Sequence, residues 1–170
     1  MKRPVTVYCS FYESPLGRLC LGMTAKGIVA LHFPGGSQQD LVASLPYRNP
    51  RVIHDNGPSA PIRRQLDRYF RGRPVMFAFR ADLGWATPFQ RAVWRKLAQL
   101  PPGQLITYGQ LAREIGQPRA ARAVGQAVGA NPLPILIPCH RVIAGDGSLG
   151  GFTGGVALKK KLLKIEGITL

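Results

Sequence analysis

Residues 131–142 run Asn-Pro-Leu-Pro-Ile-Leu-Ile-Pro-Cys-His-Arg-Val, which puts Cys139 directly before His140 and behind Pro132, Pro134 and Pro138. Those residue types suit nucleophilic chemistry. A thiol attacks only as thiolate, and a free cysteine with a pKa of about 8.5 is roughly a tenth ionised one unit below it. A neighbouring base or cation therefore raises the reactive fraction up to about tenfold. Consecutive side chains diverge in helices and strands, so contact between Cys139 and His140, direct or through one water, requires irregular backbone, which the prolines favour. The competing reading is a buried cysteine filling a core gap beside a half-exposed histidine. Downstream, residues 145–155 read Gly-Asp-Gly-Ser-Leu-Gly-Gly-Phe-Thr-Gly-Gly. No Gly-Lys-Ser/Thr occurs there and no βαβ unit leads into it, which argues against a nucleotide-phosphate cradle. The glycines suit a pocket wall that meets a flat ligand closely, with Thr153 offering a hydroxyl.

Such residues need elements to hold them. Residues 156–166 predict a terminal helix with Leu158, Leu162, Leu163 and Ile165 on its apolar face and Lys159, Lys160 and Lys161 toward solvent. Glu166 ends it, where the helix dipole disfavours an anion, so Glu166 either tolerates a modest cost or has a cationic or hydrogen-bonding partner. Upstream, Thr87-Pro88-Phe89-Gln90 has the form of a helix start, with Phe89, Val93, Trp94 and Leu97 as its buried stripe. Thr107-Tyr108-Gly109-Gln110 repeats that logic and opens a short helix closed by Gly116. Residues 119–130 form a second helix, lean in side chains, with Arg122 projecting among alanines and glycines. Two short helices joined by a glycine-containing turn resemble a helix-turn-helix.

The first third reads as short strands. A Ser14-Pro15-Leu16-Gly17 turn and a hairpin around Ala25-Lys26-Gly27 imply a small sheet, and a helix opening at Pro61 carries Ile62, Leu66, Tyr69 and Phe70 on one face to cover it. Residues 34–60 read as connecting segments with one weak helical patch. The character of the chain changes near Leu83.

The chain of 170 residues carries 23 Lys+Arg against 8 Asp+Glu, a net charge of +15, spread evenly along its length. With 45% hydrophobic residues it is a globular composition, which excludes disordered, collagenous and disulfide-scaffold classes. The excess charge points to a polyanionic partner, because neutralising phosphates releases counterions. Apolar runs are too short to span a bilayer, and Met1-Lys2-Arg3-Pro4 lacks the apolar core of a signal peptide, so a cytoplasmic protein is expected. Cys9, Cys20 and Cys139 cannot all pair, and no Cys-x-x-Cys spacing offers a metal cluster.

The Ile-Pro-Cys-His-Arg-Val string, with Asn-Pro-Leu-Pro-Ile-Leu before it and Gly-Gly-Phe-Thr-Gly-Gly after it, resembles the O6-alkylguanine-DNA alkyltransferases, also called methylated-DNA–protein-cysteine methyltransferases. The likeness is close over residues 83–167 and looser at the N-terminal Ser-Pro-Leu-Gly turn. It implies an α/β (α+β) protein: a ribonuclease-H-like small sheet with helix over residues 1–82, and a mostly helical winged-helix/helix-turn-helix domain over residues 83–170. It further implies direct, irreversible transfer of the alkyl group from guanine O6 in double-stranded DNA to Cys139, by a monomer that needs no cofactor and is consumed. Whether O4-alkylthymine is also a substrate is left open.

By this resemblance Cys139 is the nucleophile, His140 its base through a water, and Glu166 the group that orients the imidazole. Asn131 holds the Pro-Cys-His turn, and Tyr108 donates toward guanine N3 as the guanine leaves. Val142, Thr153, Phe152, Gly154 and Pro134 surround the base and its alkyl group. Arg122, Ala121, Gly125 and Thr107 meet DNA, with the lean helix in the minor groove and Arg122 filling the gap left by a flipped nucleotide. Some relatives bind zinc in the N-terminal domain, but Thr24 and Val29 stand at the matching positions. Cys9, Cys20, His32 and His54 then read as ordinary residues, and no metal is expected. Phe152 stands where a tyrosine is common. The alternative is an alkylation-lesion-binding or sensing protein without turnover; the lesion-flagging relatives lack the cysteine that Cys139 supplies here.

Overall fold

The computed structural model describes residues 4–33 and 37–170. Residues 1–3 of the polar N-terminus and residues 34–36, where the Gly/Pro-rich segment begins, lie outside the described residues. Strands β1 (Thr6–Ser14), β2 (Gly17–Thr24) and β3 (Gly27–His32) form an antiparallel meander through the two turns that the sequence predicts. A short β4 (Arg51–His54) runs parallel to β1, with Val7 opposite Val52, giving the order β3-β2-β1-β4.

Both faces of this sheet are covered. On one, Val7, Cys9, Cys20 and Val29 pack with Leu41 and Leu45 of and beside α1 (Gln38–Ser44). On the other, Tyr12, Leu19, Leu21 and Leu31 meet Ile62, Leu66 and Tyr69 of α2 (Ala60–Phe70), and this core continues into Trp94, Leu133 and Val142. Two covered faces explain why β2 and β3 are nearly continuous in apolar residues instead of alternating.

Residues 37–60 are more than the connecting segments expected. The helical patch is α1, stabilised by a capping box between Ser37 and Asp40. The strand β4 was not expected, since four residues are too few to display a period; its pairing with β1 creates it, extended at either end by Arg51 N–H to Val5 O and Asp55 N–H to Cys9 O.

In the second half, α3 (Pro88–Ala98) and α4 (Tyr108–Glu114) start at Thr87 and Thr107, each with the complete capping box that the sequence predicts. The lean α5 (Ala121–Gly129) packs on both, and Trp94 Nε1 donates to Ala127 O at 2.7 Å. Strands β5 (Ile106–Thr107) and β6 (Val142–Ile143) pair in parallel across this unit, and α6 (Val156–Ile165) closes the chain. No helix of the described residues is long and apolar enough to cross a membrane.

One expectation about α6 fails. Lys160 and Lys161 are exposed, but Lys159 is fully buried and its Nζ donates to the carbonyls of Val142 and Leu149. Leu158, Leu162 and Leu163 span an arc that includes position 159, so the long side chain is carried inward and finds two carbonyls there.

Backbone hydrogen bonds strap the outer edge of β3 to the rest of the chain. Ile28 N–H donates to Arg80 O, Asp82 N–H to Ile28 O, and Leu31 N–H to Pro132 O, each at 2.8 Å. The last of these ties the sheet to the segment that leads to Cys139. Gly27 makes the approach possible: its φ is +143°, and a Cβ there would lie 2.3 Å from Arg80 O. Gly27→Ala should therefore lower stability by about 2–3 kcal/mol in a urea titration, through strain and loss of the strap. Gly84→Ala, where an added Cβ meets nothing within 4 Å, is the control and should stay close to wild type.

Candidate active site

Cys139 sits on a single 3-10 turn, Cys139–Arg141, entered from Pro138. Cys139 N–H donates to Ile137 O at 2.8 Å and Arg141 N–H to Pro138 O at 3.1 Å, so the chain bends tightly, as the flanking prolines favour. Asn131 braces the approach from outside: Nδ2 donates to Ile137 O at 2.8 Å and Oδ1 accepts from Leu133 N–H at 3.0 Å. The segment holds one strained residue, Ile135, which is fully buried at a φ of +74°, a region that β-branched side chains avoid.

Behind the turn lies a buried carboxylate. Glu166, just past α6, accepts from His140 Nε2 at 2.7 Å and from Tyr69 OH at 3.1 Å on Oε1. Arg141 adds a two-pronged contact, Nε to Oε2 at 2.8 Å and Nη2 to Oε1 at 2.9 Å, and passes Nη1 to Leu100 O. Burial alone would raise the Glu166 pKa, but the hydrogen bonds and charges of His140 and Arg141 outweigh it and hold the group down to about 2. The helix-end anion has both the cationic and the hydrogen-bonding partner that its placement called for.

His140 is fully buried. Burial lowers its pKa, Glu166 pulls it up, and the charges of Arg141 and Lys159 push it down again, with a net lowering. With Nε2–H given to Glu166, the lone pair resides on Nδ1, which makes no hydrogen bond among the described residues. Burial likewise pushes the Cys139 thiol up to about 11, while Asn131, nearby backbone amides and Lys159 favour the thiolate. At neutral pH the resting group is therefore a thiol, and any chemistry that needs the thiolate must first remove its proton.

Cys139, 6% exposed, lies where two cavities meet. One of about 220 Å³ is lined by Tyr108, Gly125, Val128, Gly129, Phe152 and Thr153 together with Cys139. The other, a cleft of about 740 Å³, runs from Cys139 past Pro134, Phe152 and Gly154 toward Phe33 of the N-terminal half. The structure thus brings together Cys139, Tyr108, Phe152, Thr153, Gly125 and Pro134. Thr153 Oγ1 donates to Gly129 O at 2.9 Å, bridging the glycine loop to the end of α5. Val142 is fully buried, with its carbonyl taken by Lys159. Arg122 is exposed on α5, Ala121 and Thr107 are partly exposed, and none of the three borders the cavity.

Arg141, Tyr69 and Lys159 were missed by sequence reasoning. Arg141 carries a signal, being contiguous with Cys-His; Tyr69 carries none, since a tyrosine on the apolar face of a helix reads as core. Cys9 and Cys20 have their sulfurs 3.4 Å apart in the sheet, His32 bonds Ser44 and His54 stacks on Phe11. Among the described residues no three His, Cys, Asp or Glu side chains converge as metal ligands would.

A helix-turn-helix whose second helix forms one wall of a thiol pocket defines a class: DNA-binding proteins with a nucleophilic cysteine. Within that class the chain belongs to the 6-O-methylguanine DNA methyltransferase family, matching its ribonuclease-like domain over residues 7–83 and its DNA-binding domain over residues 88–168. It is 37% identical over 162 residues to the methylated-DNA–protein-cysteine methyltransferase of Methanosarcina acetivorans, covering 95% of this chain and 99% of that one. The Mycobacterium leprae protein of the same name is 38% identical, with coverage of 94% and 92%. Among solved structures, Mycobacterium tuberculosis OGT in complex with DNA superposes with a TM-score of 0.80 at 35% identity, covering 94% of this chain and 92% of that one.

Glu166→Gln removes the carboxylate that Arg141 pairs with in this buried cluster and should cost about 3–5 kcal/mol at neutral pH. The folded-state pKa of Glu166 is depressed, so its stabilisation is complete above the ordinary carboxylate value of 4.5 and is lost as pH falls toward about 2. Denaturant titrations of the two proteins should therefore converge across that window.

Proposed function

We propose that this protein repairs alkylated DNA by direct reversal, moving the alkyl group from O6 of a guanine in duplex DNA to Sγ of Cys139 in a single turnover. The carrying observation is the cavity of about 220 Å³ that joins Tyr108, α5 and the glycine loop to the thiol. At about 30 Å³ per water its volume equals roughly seven waters, the scale of one extruded nucleobase. The helix-turn-helix and glycine loop beside it, and a net charge of +15, suit a protein that holds duplex phosphates while one base is withdrawn.

The chemistry follows from the geometry. His140 Nδ1 takes the Cys139 proton, with a water between them, and the imidazolium is stabilised by Glu166. Sγ forms a bond to the alkyl carbon as the carbon–O6 bond breaks, and that electron pair passes into the guanine ring. Tyr108 donates toward N3 and neutralises the developing charge. Thr153 stands near O6, while Phe152, Gly154 and Pro134 border the alkyl group; the Val142 carbonyl, already accepting from Lys159, braces the turn instead of reading the base edge. The thioether has no internal route back to a thiol, so the protein is consumed; the alkyl carbon is already electrophilic, and no cofactor is called for.

α5 enters the minor groove with Ala121 and Gly125 against it, Thr107 beside it, and Arg122 in the space left by the base. We assign residues 1–82 and 83–170 as the two structural units, and the protein acts as a cytoplasmic monomer.

Mixed with excess duplex containing O6-methylguanine, the intact protein should gain the mass of one methyl group, mapped to Cys139 and absent from Cys9 and Cys20. Tight lesion binding without a mass change would instead identify a lesion-binding protein. Arg122→Ala should slow transfer while leaving the salt dependence of binding nearly unchanged, because flipping and phosphate neutralisation are separate contributions. A wild-type transfer rate in that variant would remove Arg122 from the flipping step.

A further inference from the structure

Tyr69 reaches the reacting centre from the wrong half of the protein. It lies on α2, 71 positions before His140, yet its hydroxyl stands 3.1 Å from Glu166 Oε1 and 3.5 Å from His140 Nε2. The ring is 1% exposed and fixed edge-on by Phe70 and tilted against Phe77, so the hydroxyl has no freedom to swing to solvent. Glu166 Oε1 thus receives three donors, His140, Arg141 and Tyr69, while Oε2 receives Arg141 Nε and a long 3.5 Å contact from Gly103 N–H.

We propose that Tyr69 is a positioning residue of the transfer reaction: by donating its phenolic hydrogen to Glu166 it limits how strongly that carboxylate draws on His140, and it fixes the ring with Nε2 protonated and Nδ1 free to accept. The inference rests on the alkyl-transfer reading of this site and adds the N-terminal half to its proton relay.

The physical reason is competition for one oxygen. A carboxylate oxygen that already accepts from a phenol holds less charge for the imidazole, and His140 remains neutral to lower pH. Since only neutral His140 can take the thiol proton, the phenol keeps the base available. The charged and titratable groups around the imidazole are few: Glu166 opposes Arg141 and Lys159, with Cys139 on the same turn and Tyr69 from α2. The oxygen of Tyr69 can also accept weakly from Nε2–H, which adds to the preference for that tautomer.

The test is Tyr69→Phe, which keeps the ring and its packing, with Phe77→Leu as a packing control that leaves the hydroxyl in place. The rate of Cys139 alkylation by iodoacetamide, which displaces iodide and releases the thiol proton, reads the relay without DNA; methyl transfer from O6-methylguanine duplex reads it in the repair reaction. In both, Tyr69→Phe should move the acid limb of the rate–pH profile up by about one unit, roughly a tenfold loss on that limb, with the alkaline plateau within about twofold of wild type. Phe77→Leu should leave the limb in place. An unshifted limb in Tyr69→Phe, or a loss equal at every pH, would overturn the proposal. Independently of any variant, nitrogen chemical shifts of His140 in the wild-type protein should show Nε2 protonated and Nδ1 bare, and the opposite tautomer would also overturn it. Failure of the repair reading shows separately, as a wild-type protein that alkylates with iodoacetamide but takes no methyl group from DNA.

Discussion

A carboxylate shielded from water can remain ionised only if the protein surrounds it with donors, and Glu166 imposes that condition on everything near Cys139. Its donors come from distant stretches of chain: Tyr69 from α2, and His140 and Arg141 from the 3-10 turn. Arg141 in turn holds Leu100 O, at the end of the segment that follows α3. The elements that meet at Glu166 are therefore the ones that place Cys139. Seen this way, the last helix of the chain is less a cover for the core than the carrier of its anchoring charge.

The thiol is under opposing demands. Burial strengthens electrostatic interactions with whatever enters the pocket, but the same burial disfavours the thiolate. Against that burial stand the Asn131 side chain, the amides of the turn and the charge of Lys159, each of which favours the thiolate, while His140 on the same turn keeps an Nδ1 with no hydrogen-bond partner among the described residues. Among the described residues Lys159 has no carboxylate partner and is met by the carbonyls of Val142 and Leu149, which leaves its charge uncancelled toward Cys139. Its carbonyl partners include Val142, so the residue also braces the strand that leaves the Cys139 turn.

The N-terminal half contributes more than a platform. Its edge strand β3 is strapped to Pro132 by a backbone hydrogen bond, α2 sends Tyr69 to Glu166, and Phe33 borders the cleft that runs to Cys139. Strain concentrates on the same segment, at buried Ile135, between the strap and the nucleophile. A backbone held by Asn131 on one side and by the sheet on the other can carry such a conformation, because neither end can relax.

Much of this was legible in the sequence, because it is encoded locally. Prolines before Cys139 announce an irregular turn, Thr87 and Thr107 with glutamine three residues on announce helix starts, and glycines and alanines announce a helix that can approach another surface closely. Such signals work through neighbours in the chain, and the family likeness of the Pro-Cys-His-Arg-Val string rests on them too. The anion at Glu166 was legible as a problem needing a partner, but the partners were not. Lys159 reads as solvent-facing because a lysine run normally is, Tyr69 reads as core because most tyrosines on an apolar helix face are, and β4 is too short to show a period. What decides all three is burial against residues remote in sequence: a buried charge, hydroxyl or strand edge must be matched by whatever the tertiary fold brings beside it, and no local pattern specifies that match.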